Sequence, residues 1–412
     1  MTQGQPDSVN LENGASGHGG TPKVVPEEQR VTWLELFFDL LFVVAFDQLA
    51  KRLGDTPSAE NIGLFLLLFA AVWWAWVGNT TFAARYGNGE RVYRWGSLLQ
   101  LLTLGVLALT ERGDLDQTGQ AFALAYAANR WILVGMHLLH LRRRTETASF
   151  SQPLATGYGL AALIWLGSAL LTGSVQLVAW GVALGIDVLT PLLLRQRHGA
   201  ALPHQEHLPE RMGLLQIIAL GSIMTEVVAG GRQQSLTGLN LFPALCAMLL
   251  AVGLWRLYFD QARTLPVLHA HWAGRVGAFL MWLYGHFPFT LSVTMLAVGL
   301  GHGISDTENE RDAVNRQLVA WPLAGALLTL ALLRGNALRL TARSLLGDRS
   351  LLALGAGTGL AAALAFCRWD TLALHAGAAA LTLLLALIVA TDPVTRQLGR
   401  IEERLGGSGS PV

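Results

Sequence analysis

The chain has 412 residues, of which 52% are hydrophobic and 14% are charged, whereas an ordinary soluble domain carries about 25% charged residues. Its formal net charge of +1 gives no whole-chain argument for binding nucleic acid. The two cysteines, Cys246 and Cys367, both lie inside apolar runs, which argues against a disulfide framework.

The first 30 residues are polar and rich in Gly, Ser and Pro. They lack the basic start and the apolar stretch of a secretory signal. We therefore expect a disordered cytoplasmic tail over residues 1–30. A second cytoplasmic tail is expected over residues 394–412.

The first apolar run, residues 31–50, is long enough to cross a bilayer as a helix, because about 20 residues span the hydrocarbon layer. It nevertheless contains Glu35, Asp39 and Asp47. An acid at the membrane centre costs about 2.5–3.5 kcal/mol even on lenient insertion scales. Glu35 and Asp39 are four residues apart and share one helix face. We predict that this face contacts protein or water rather than lipid.

Eleven further apolar runs of about 17–25 residues follow, separated by short polar or basic gaps. Only helices and closed barrels satisfy their backbone groups in lipid, and the runs lack the alternation of barrel strands. The sequence therefore predicts an all-α membrane protein of about twelve transmembrane helices. The further runs lie at about 62–82, 95–110, 119–141, 155–173, 175–194, 208–229, 239–260, 276–301, 318–333, 351–367 and 372–390.

The basic residues predict the orientation of these helices. With the N-terminus inside, the inside segments hold 19 Lys and Arg residues and the outside segments hold 7. Cytoplasmic loops of membrane proteins carry such an excess. We expect a multi-pass protein of the cell membrane with both termini cytoplasmic. The expected partner of its apolar surface is the lipid bilayer.

The two halves of the chain resemble each other. Aligning residues 34–48 with residues 209–223 places Glu35 on Glu210 and Asp47 on Ser222. The run after each of these segments carries tryptophan, as WWAW in the first half and as LWRLY in the second.

This likeness predicts two six-helix halves, over residues 31–197 and 198–393. Six helices per half is an even number, so the repeat would be parallel, with its axis along the membrane normal. Many secondary transporters relate their halves in this way. Chance similarity between apolar helices is the alternative.

The segment TWLELFFDLLFVVAFDQLA resembles the opening signature of the bacterial low temperature requirement A (LtrA) family. Further similar segments follow in order: HLPERMGL with IIALG, then LYFD, then YGHFP with AVGL. The resemblance implies an integral protein of the bacterial inner membrane, named for growth in the cold. It implies no settled biochemical activity.

One departure from the family pattern suggests a hypothesis. The pattern tends to place Gly-Glu where this chain has Gly221-Ser222, and Ser where it has Asp47. The acid has moved to the position that the repeat makes equivalent. We infer that one carboxylate is needed near the axis between the halves, and that either helix can supply it.

Ionisable side chains inside or at the ends of the apolar runs are the candidate site residues, because such groups often mark substrate or ion paths. We predict that they form a substrate or proton relay between the halves. The set comprises Glu35, Asp39, Asp47, Arg130, Asp187, Glu210, Arg211, Glu226 and His286.

Structural alternatives stand beside this prediction. Glu35 and Glu210 could form a salt-bridge cluster with Arg211 that only joins the halves. Arg130 could be one member of a buried ion pair. His286 could hydrogen-bond a neighbouring helix, although a histidine also changes charge near neutral pH.

No cofactor motif accompanies these residues. The sequence lacks a Walker loop, a dinucleotide-binding glycine fingerprint after a strand and a nucleophile elbow. The histidine spacings match no strong zinc pattern. We expect no metal, no cofactor and no nucleic-acid partner, and we assign no catalytic residues.

The leading functional prediction is a secondary-transporter-like permease with a buried polar site between its halves, acting on an unidentified small molecule or ion. The sequence favours a non-enzymatic function over an enzymatic one and leaves the enzymatic one open. One alternative is a membrane-embedded enzyme that acts on lipids, since growth in the cold depends on membrane fluidity. Another is a non-catalytic membrane stress sensor or scaffold.

Overall fold

A computed structural model describes residues 29–55, 58–111, 115–143, 145, 147–232, 238–305, 312–341 and 343–406. Within these ranges the chain forms fourteen α-helices and one 3₁₀ helix, and it forms no strand. The expectation of disorder for residues 1–30 falls almost entirely outside the described residues.

The helices follow one another with short connections. Up to residue 200 the chain forms α1 (Trp33–Asp55), α2 (Ala59–Tyr86), α3 (Arg91–Thr110), α4 (Leu115–Leu141), α5 (Ala148–Ser168), α6 (Gly173–Leu193) and the 3₁₀ helix (Arg195–Ala200). From residue 207 onwards it forms α7 (His207–Arg232), α8 (Gly238–Gln261), α9 (Leu265–Ala273), α10 (Val276–Ser305), α11 (Asp312–Leu340), α12 (Arg349–Leu364), α13 (Thr371–Thr391) and α14 (Pro393–Gly406).

Nine stretches of the described chain are helical, long and apolar enough to cross a membrane. They correspond to α2, α3, α4, α6, α7, α8 with α9, α10, α11 and α13. Each of the twelve predicted runs coincides with a long helix. However, α1 carries too many charges, α5 is rich in Ser, Thr and Gly, and α12 has only 16 residues. The structure thus supports a multi-pass membrane protein, while the number twelve and the repeat stay predictions.

Side chains at the helix ends cap several of these helices. The Ser58 hydroxyl accepts a hydrogen bond from the backbone N–H of Asn61 at the start of α2. Asp370 accepts one from Ala373 at the start of α13. Such caps satisfy N–H groups that have no partner within the helix.

The two halves share their core through α7 and α10. The first turns of both helices pack with α1 and α2, and their later turns pack with α8, α11 and α13. Phe287 on α10 lies 6.0 Å from the ring of Phe69 and 5.3 Å from that of Trp73. The Tyr284 hydroxyl donates a hydrogen bond to the Val188 carbonyl of α6. Thus α10 packs against α2 and hydrogen-bonds α6.

Successive helices alternate in direction, so that α1, α3, α5 and α7 begin at one end of the bundle, named here the start face. The backbone N–H of His204, just before α7, donates to the Ala84 carbonyl near the end of α2. His271 of α9 donates through Nε2 to the Pro203 carbonyl over 2.7 Å. The ends of α2 and α9 therefore lie at this face with the start of α7.

The last helix, α14, packs against α9. Glu402 accepts a hydrogen bond from the Leu265 backbone N–H and lies 3.3 Å from Arg263 Nη1. Leu398 is buried under this contact. Most of the segment 394–412, expected from the sequence only as a tail, is therefore a docked helix.

Candidate functional site

Two carboxylates and one guanidinium join α1 to α7 at the start face. Arg211 donates from Nε to Asp39 Oδ2 over 3.0 Å and from Nη2 to Asp39 Oδ1 over 2.6 Å. Its Nη1 lies 2.9 Å from Glu35 Oε1. All three residues are buried. The four-residue spacing of Glu35 and Asp39 on α1 presents both acids to one partner helix, as the sequence predicts.

The Asp39 end of this group has a further donor. The indole Nε1 of Trp76 donates to Asp39 Oδ1 over 2.8 Å. The Arg211 guanidinium lies 5.8 Å from the centre of the same ring system. The Asp39 carboxylate therefore accepts two hydrogen bonds from Arg211 and one from Trp76, so α2 also contacts the α1–α7 pair.

The Glu35 end is surrounded by donors from four segments. His207 Nε2 lies 3.0 Å from Glu35 Oε1, and the Tyr93 hydroxyl lies 3.2 Å from the same oxygen. Asn88 Nδ2 donates to Oε2 over 2.9 Å, and Thr32 donates to it from its backbone N–H and its hydroxyl. We name Glu35, Asp39, His207 and Arg211 the α1–α7 ion cluster.

A line of polar side chains leads from this cluster into the first half. The Tyr93 hydroxyl also lies 3.3 Å from Asn79 Oδ1, and Asn79 Nδ2 donates to Gln100 Oε1 over 3.0 Å. Gln100 Nε2 in turn donates to Asn129 Oδ1 over 3.3 Å. Asn79 and Gln100 are not among the residues predicted from the sequence, although an amide inside an apolar run often joins membrane helices.

Arg130 of α4 and Asp187 of α6 form a second buried centre. Arg130 Nε lies 3.5 Å from Asp187 Oδ2, and neither side chain is exposed. Among the residues that the structure describes, the three guanidinium nitrogens and both carboxylate oxygens have no hydrogen-bond partner. The ring of Tyr126 lies 4.9 Å from the guanidinium carbon. Gly78 of α2 makes room, since a Cβ there would lie 3.0 Å from Arg130 Nη1.

A third buried arginine offers a comparison within the same molecule. Arg334, at the end of α11, donates two hydrogen bonds to Asp348 over 2.5 and 2.7 Å. It donates a third to Asp392 over 2.9 Å and a fourth to Gln261 over 2.8 Å. Arg334 thereby ties α8, α11, α12 and α13 together. Arg334 was not predicted from the sequence. It directly follows one apolar run, and an aspartate lies near one end of each of two other runs, which together were a signal for an ion pair.

The three fully buried arginines of the described chain therefore differ in kind. Arg211 and Arg334 donate several close hydrogen bonds to carboxylates, as structural ion pairs require. Arg130 faces its only acid at a longer distance and makes no hydrogen bond. This contrast separates Arg130 from the residues that serve mainly to join helices.

The remaining predicted acids lie elsewhere. Asp47 pairs with Lys51 one turn further along α1, and one of its oxygens stays without a partner. Glu226, in the later part of α7, is half-buried, and its Oε1 has no hydrogen-bond partner. Glu210 is exposed in the first turn of α7. The structure thus leaves these three acids outside both centres.

His286 also stands apart from both centres. It lies within α10, where its Nδ1 donates to the Trp282 carbonyl over 2.6 Å, and its Nε2 makes no hydrogen bond. The rings of Trp282 and Tyr258 pack against it. Its only hydrogen bond is therefore to its own helix.

The described residues include no group of three or more His, Cys, Asp or Glu side chains placed to hold a metal ion. A narrow cleft opens between α2, α5 and α6, with room for about one water molecule. None of the nine predicted site residues lines this cleft.

Comparisons with known proteins agree with the resemblance found in the sequence. A protein of Rhizobium meliloti (strain 1021), described only as uncharacterized, is 28% identical over 290 residues, which cover 66% of this chain and 69% of that protein. No solved structure matches the chain. The family model described as bacterial low temperature requirement A protein (LtrA) matches residues 30–390. The chain therefore belongs to the bacterial low temperature requirement A family of membrane proteins.

Proposed function

We propose that this protein is a secondary-transporter-like permease of the cell membrane. In this proposal the Arg130–Asp187 centre binds the transported small molecule or ion, or carries a coupled proton. The α1–α7 ion cluster holds the two halves together at the start face, which is the cytoplasmic face in the predicted orientation.

One observation carries the proposal: Arg130 is fully buried and makes no hydrogen bond. An arginine within the membrane needs partners, and each unsatisfied buried donor costs about 1–3 kcal/mol, with charged groups costing more. A structural role would favour the close geometry that Arg211 and Arg334 have. The chain instead tolerates a costly arrangement that a polar substrate would relieve.

The α1–α7 ion cluster supports the proposal as a closable contact. It joins the first helix of one half to the first helix of the other, at one end of the bundle. Alternating access needs contacts between the halves that form at one face while those at the other face open. The cluster brings two carboxylates, one guanidinium and one imidazole together at this contact.

The amide line provides a link between the two centres. Tyr93, Asn79 and Gln100 connect Glu35 to Asn129, which directly precedes Arg130 on α4. Buried hydrogen-bond networks of this kind transmit changes in position, because each member has few alternative partners. In this proposal, opening of the α1–α7 contact changes the position of Asn129, next to Arg130.

Reconstituted liposomes test the proposal. The protein is assayed against a broad panel of metabolites and ions, with and without a pH gradient. We expect at least one solute to be taken up by the wild type, and the Arg130→Gln and Asp187→Asn variants to lose this uptake. Arg256→Gln is the matched control, since Arg256 also lies within a span but is about half exposed and pairs with Asp260.

The outcome also separates the permease from the sensor or scaffold. The close hydrogen bonds of the α1–α7 ion cluster favour that second function, because a cluster that only joins helices needs no movement. A scaffold would show no uptake of any solute and no pH-linked uptake, in folded wild-type protein that elutes as a single species. That result would contradict the permease.

A further inference from the structure

Arg85, at the end of α2, is a second arginine whose positive charge is not balanced by a close carboxylate among the described residues. Arg85 Nη1 donates to the Ala201 carbonyl over 2.6 Å, and Nη2 lies 3.3 Å from His198 Nδ1. Its buried Nε makes no hydrogen bond. The guanidinium carbon lies 4.5 Å from the centre of the Phe150 ring. Each of these neighbours is a lone pair or a ring face, and none is a carboxylate.

The orientation of His198 leaves the charge of Arg85 unbalanced. His198 Nε2 lies 3.0 Å from the Pro191 carbonyl, which can only accept, so Nε2 carries the hydrogen. Nδ1 then presents its lone pair to Arg85. Burial and the nearby Arg85 charge lower the pKa of His198 to about 3. The ring is therefore neutral at pH 7, and the pair carries one positive charge.

Arg85 and His198 both line the narrow cleft between α2, α5 and α6. Thr81 and Tyr158 add polar groups to the same wall, and Phe150 adds an apolar one. The space accommodates about one water molecule. Tyr158 also lies 5.9 Å from the Arg130 guanidinium, so the cleft adjoins the Arg130–Asp187 centre.

These features together select one class of ligand. A half-buried guanidinium with a free N–H attracts an anion, and the absence of a carboxylate among its described neighbours leaves that charge available. The cleft has room for about one water molecule, which favours a small anion over sulfate, phosphate esters and lipid head groups. We propose that Arg85, with His198 fixing its orientation, binds a small monovalent anion of about the size of chloride. The site does not depend on the proposed transport activity.

A structural role for Arg85 makes a different prediction. A basic residue in the last turn of a helix stabilises that helix without any ligand, and the bond to Ala201 would fasten the segment before α7. In that case the stability of the protein would respond to chloride only through ionic strength. The two readings therefore separate in an experiment at constant ionic strength.

Thermal unfolding of the purified full chain in detergent tests the site, with chloride replacing gluconate at fixed ionic strength. We expect the midpoint of unfolding to rise saturably with chloride, as linkage requires for a ligand that binds the folded state. Arg85→Gln should weaken the apparent chloride affinity at least tenfold, and Arg85→Lys should weaken it less. Arg142→Gln, which changes an exposed arginine at the end of α4, should match the wild type.

Bromide provides a second measurement that does not depend on the variants folding. Crystals of the wild type grown in bromide should show anomalous scattering beside the Arg85 guanidinium. Equal chloride responses in wild type and Arg85→Gln, or no bromide at Arg85, would overturn the proposal. A larger stabilisation by sulfate or by vesicles containing anionic lipid would reassign Arg85 to larger anions and overturn it as well.

Discussion

Replacing Asp39 with Asn removes one of the two carboxylate charges that face Arg211 at the α1–α7 contact, the other being that of Glu35. Arg211 donates two hydrogen bonds to this carboxylate and Trp76 donates one. Each hydrogen bond to a charged group contributes about 1.5–3 kcal/mol. Asn keeps one oxygen acceptor, so only part of this sum is lost. Because Glu35 still faces the guanidinium, we expect the free energy of unfolding to fall by about 2–3 kcal/mol, the loss of one or two hydrogen bonds to a charged group.

Denaturant titration of the detergent-solubilised protein measures this loss. Asp47→Asn is the matched control on the same helix, because Asp47 pairs with a partly exposed lysine and should lose about 1 kcal/mol or less. Adding Arg211→Gln to Asp39→Asn should cost less than the sum of the two single changes, because they share one interaction. Equal costs for Asp39→Asn and Asp47→Asn would refute the reasoning, as would strict additivity of the double variant.

Three further predictions follow from other parts of the molecule. In a cysteine-free background, a membrane-impermeant maleimide applied to whole cells should label Arg368→Cys and not Glu403→Cys; the reverse pattern would invert the orientation. Between pH 8 and pH 5 the wild type should lose about 2 kcal/mol of stability that His198→Gln retains, because the unfolded histidine takes up a proton near pH 6.5 and the folded one only near pH 3; equal losses would contradict this. The double variant Asp47→Ser with Ser222→Glu should retain the wild-type function, because it moves the carboxylate from α1 to the equivalent position on α7. A double variant that folds but is inactive would contradict the hypothesis that either helix can supply this carboxylate.

Local patterns predicted the helices well. Every apolar run coincides with a long helix because hydrophobic length is a property of consecutive residues. Two elements escaped this reasoning. Pro393–Gly406 is too polar to form an apolar run, and Leu265–Ala273 has only nine residues and continues the run before it.

The site was predicted only in part. The spacing of Glu35 and Asp39 indicated one shared face, and Arg211 was selected as a partner of that layer. Its closest partner, however, is Asp39, which lies 172 positions away in the chain. Such pairings depend on how distant helices pack, and that information is not contained in the local pattern. Arg85 was missed for the same reason, because its lack of a carboxylate is a property of the folded surroundings.

Arg130 differs from Arg211 and Arg334 in its hydrogen bonding, and this difference supports a functional role for Arg130. All three guanidinium groups are buried to the same degree. Two of them donate several close hydrogen bonds to carboxylates, and a buried arginine that only joins helices is expected to have such partners. The third lacks them, and sites that serve function often retain such costly arrangements.

The most direct test replaces the Arg130–Asp187 centre with apolar side chains, in the double variant Arg130→Met with Asp187→Leu. Exchanging a buried ion pair for hydrophobic residues of similar size is often neutral or stabilising by about 1–4 kcal/mol. This variant is expected to be at least as stable as the wild type in denaturant titration and to transport no solute in liposomes. A variant that is destabilised by about 3–5 kcal/mol, the usual cost of breaking a buried ion pair, but that still transports would show instead that Arg130 and Asp187 have a structural role.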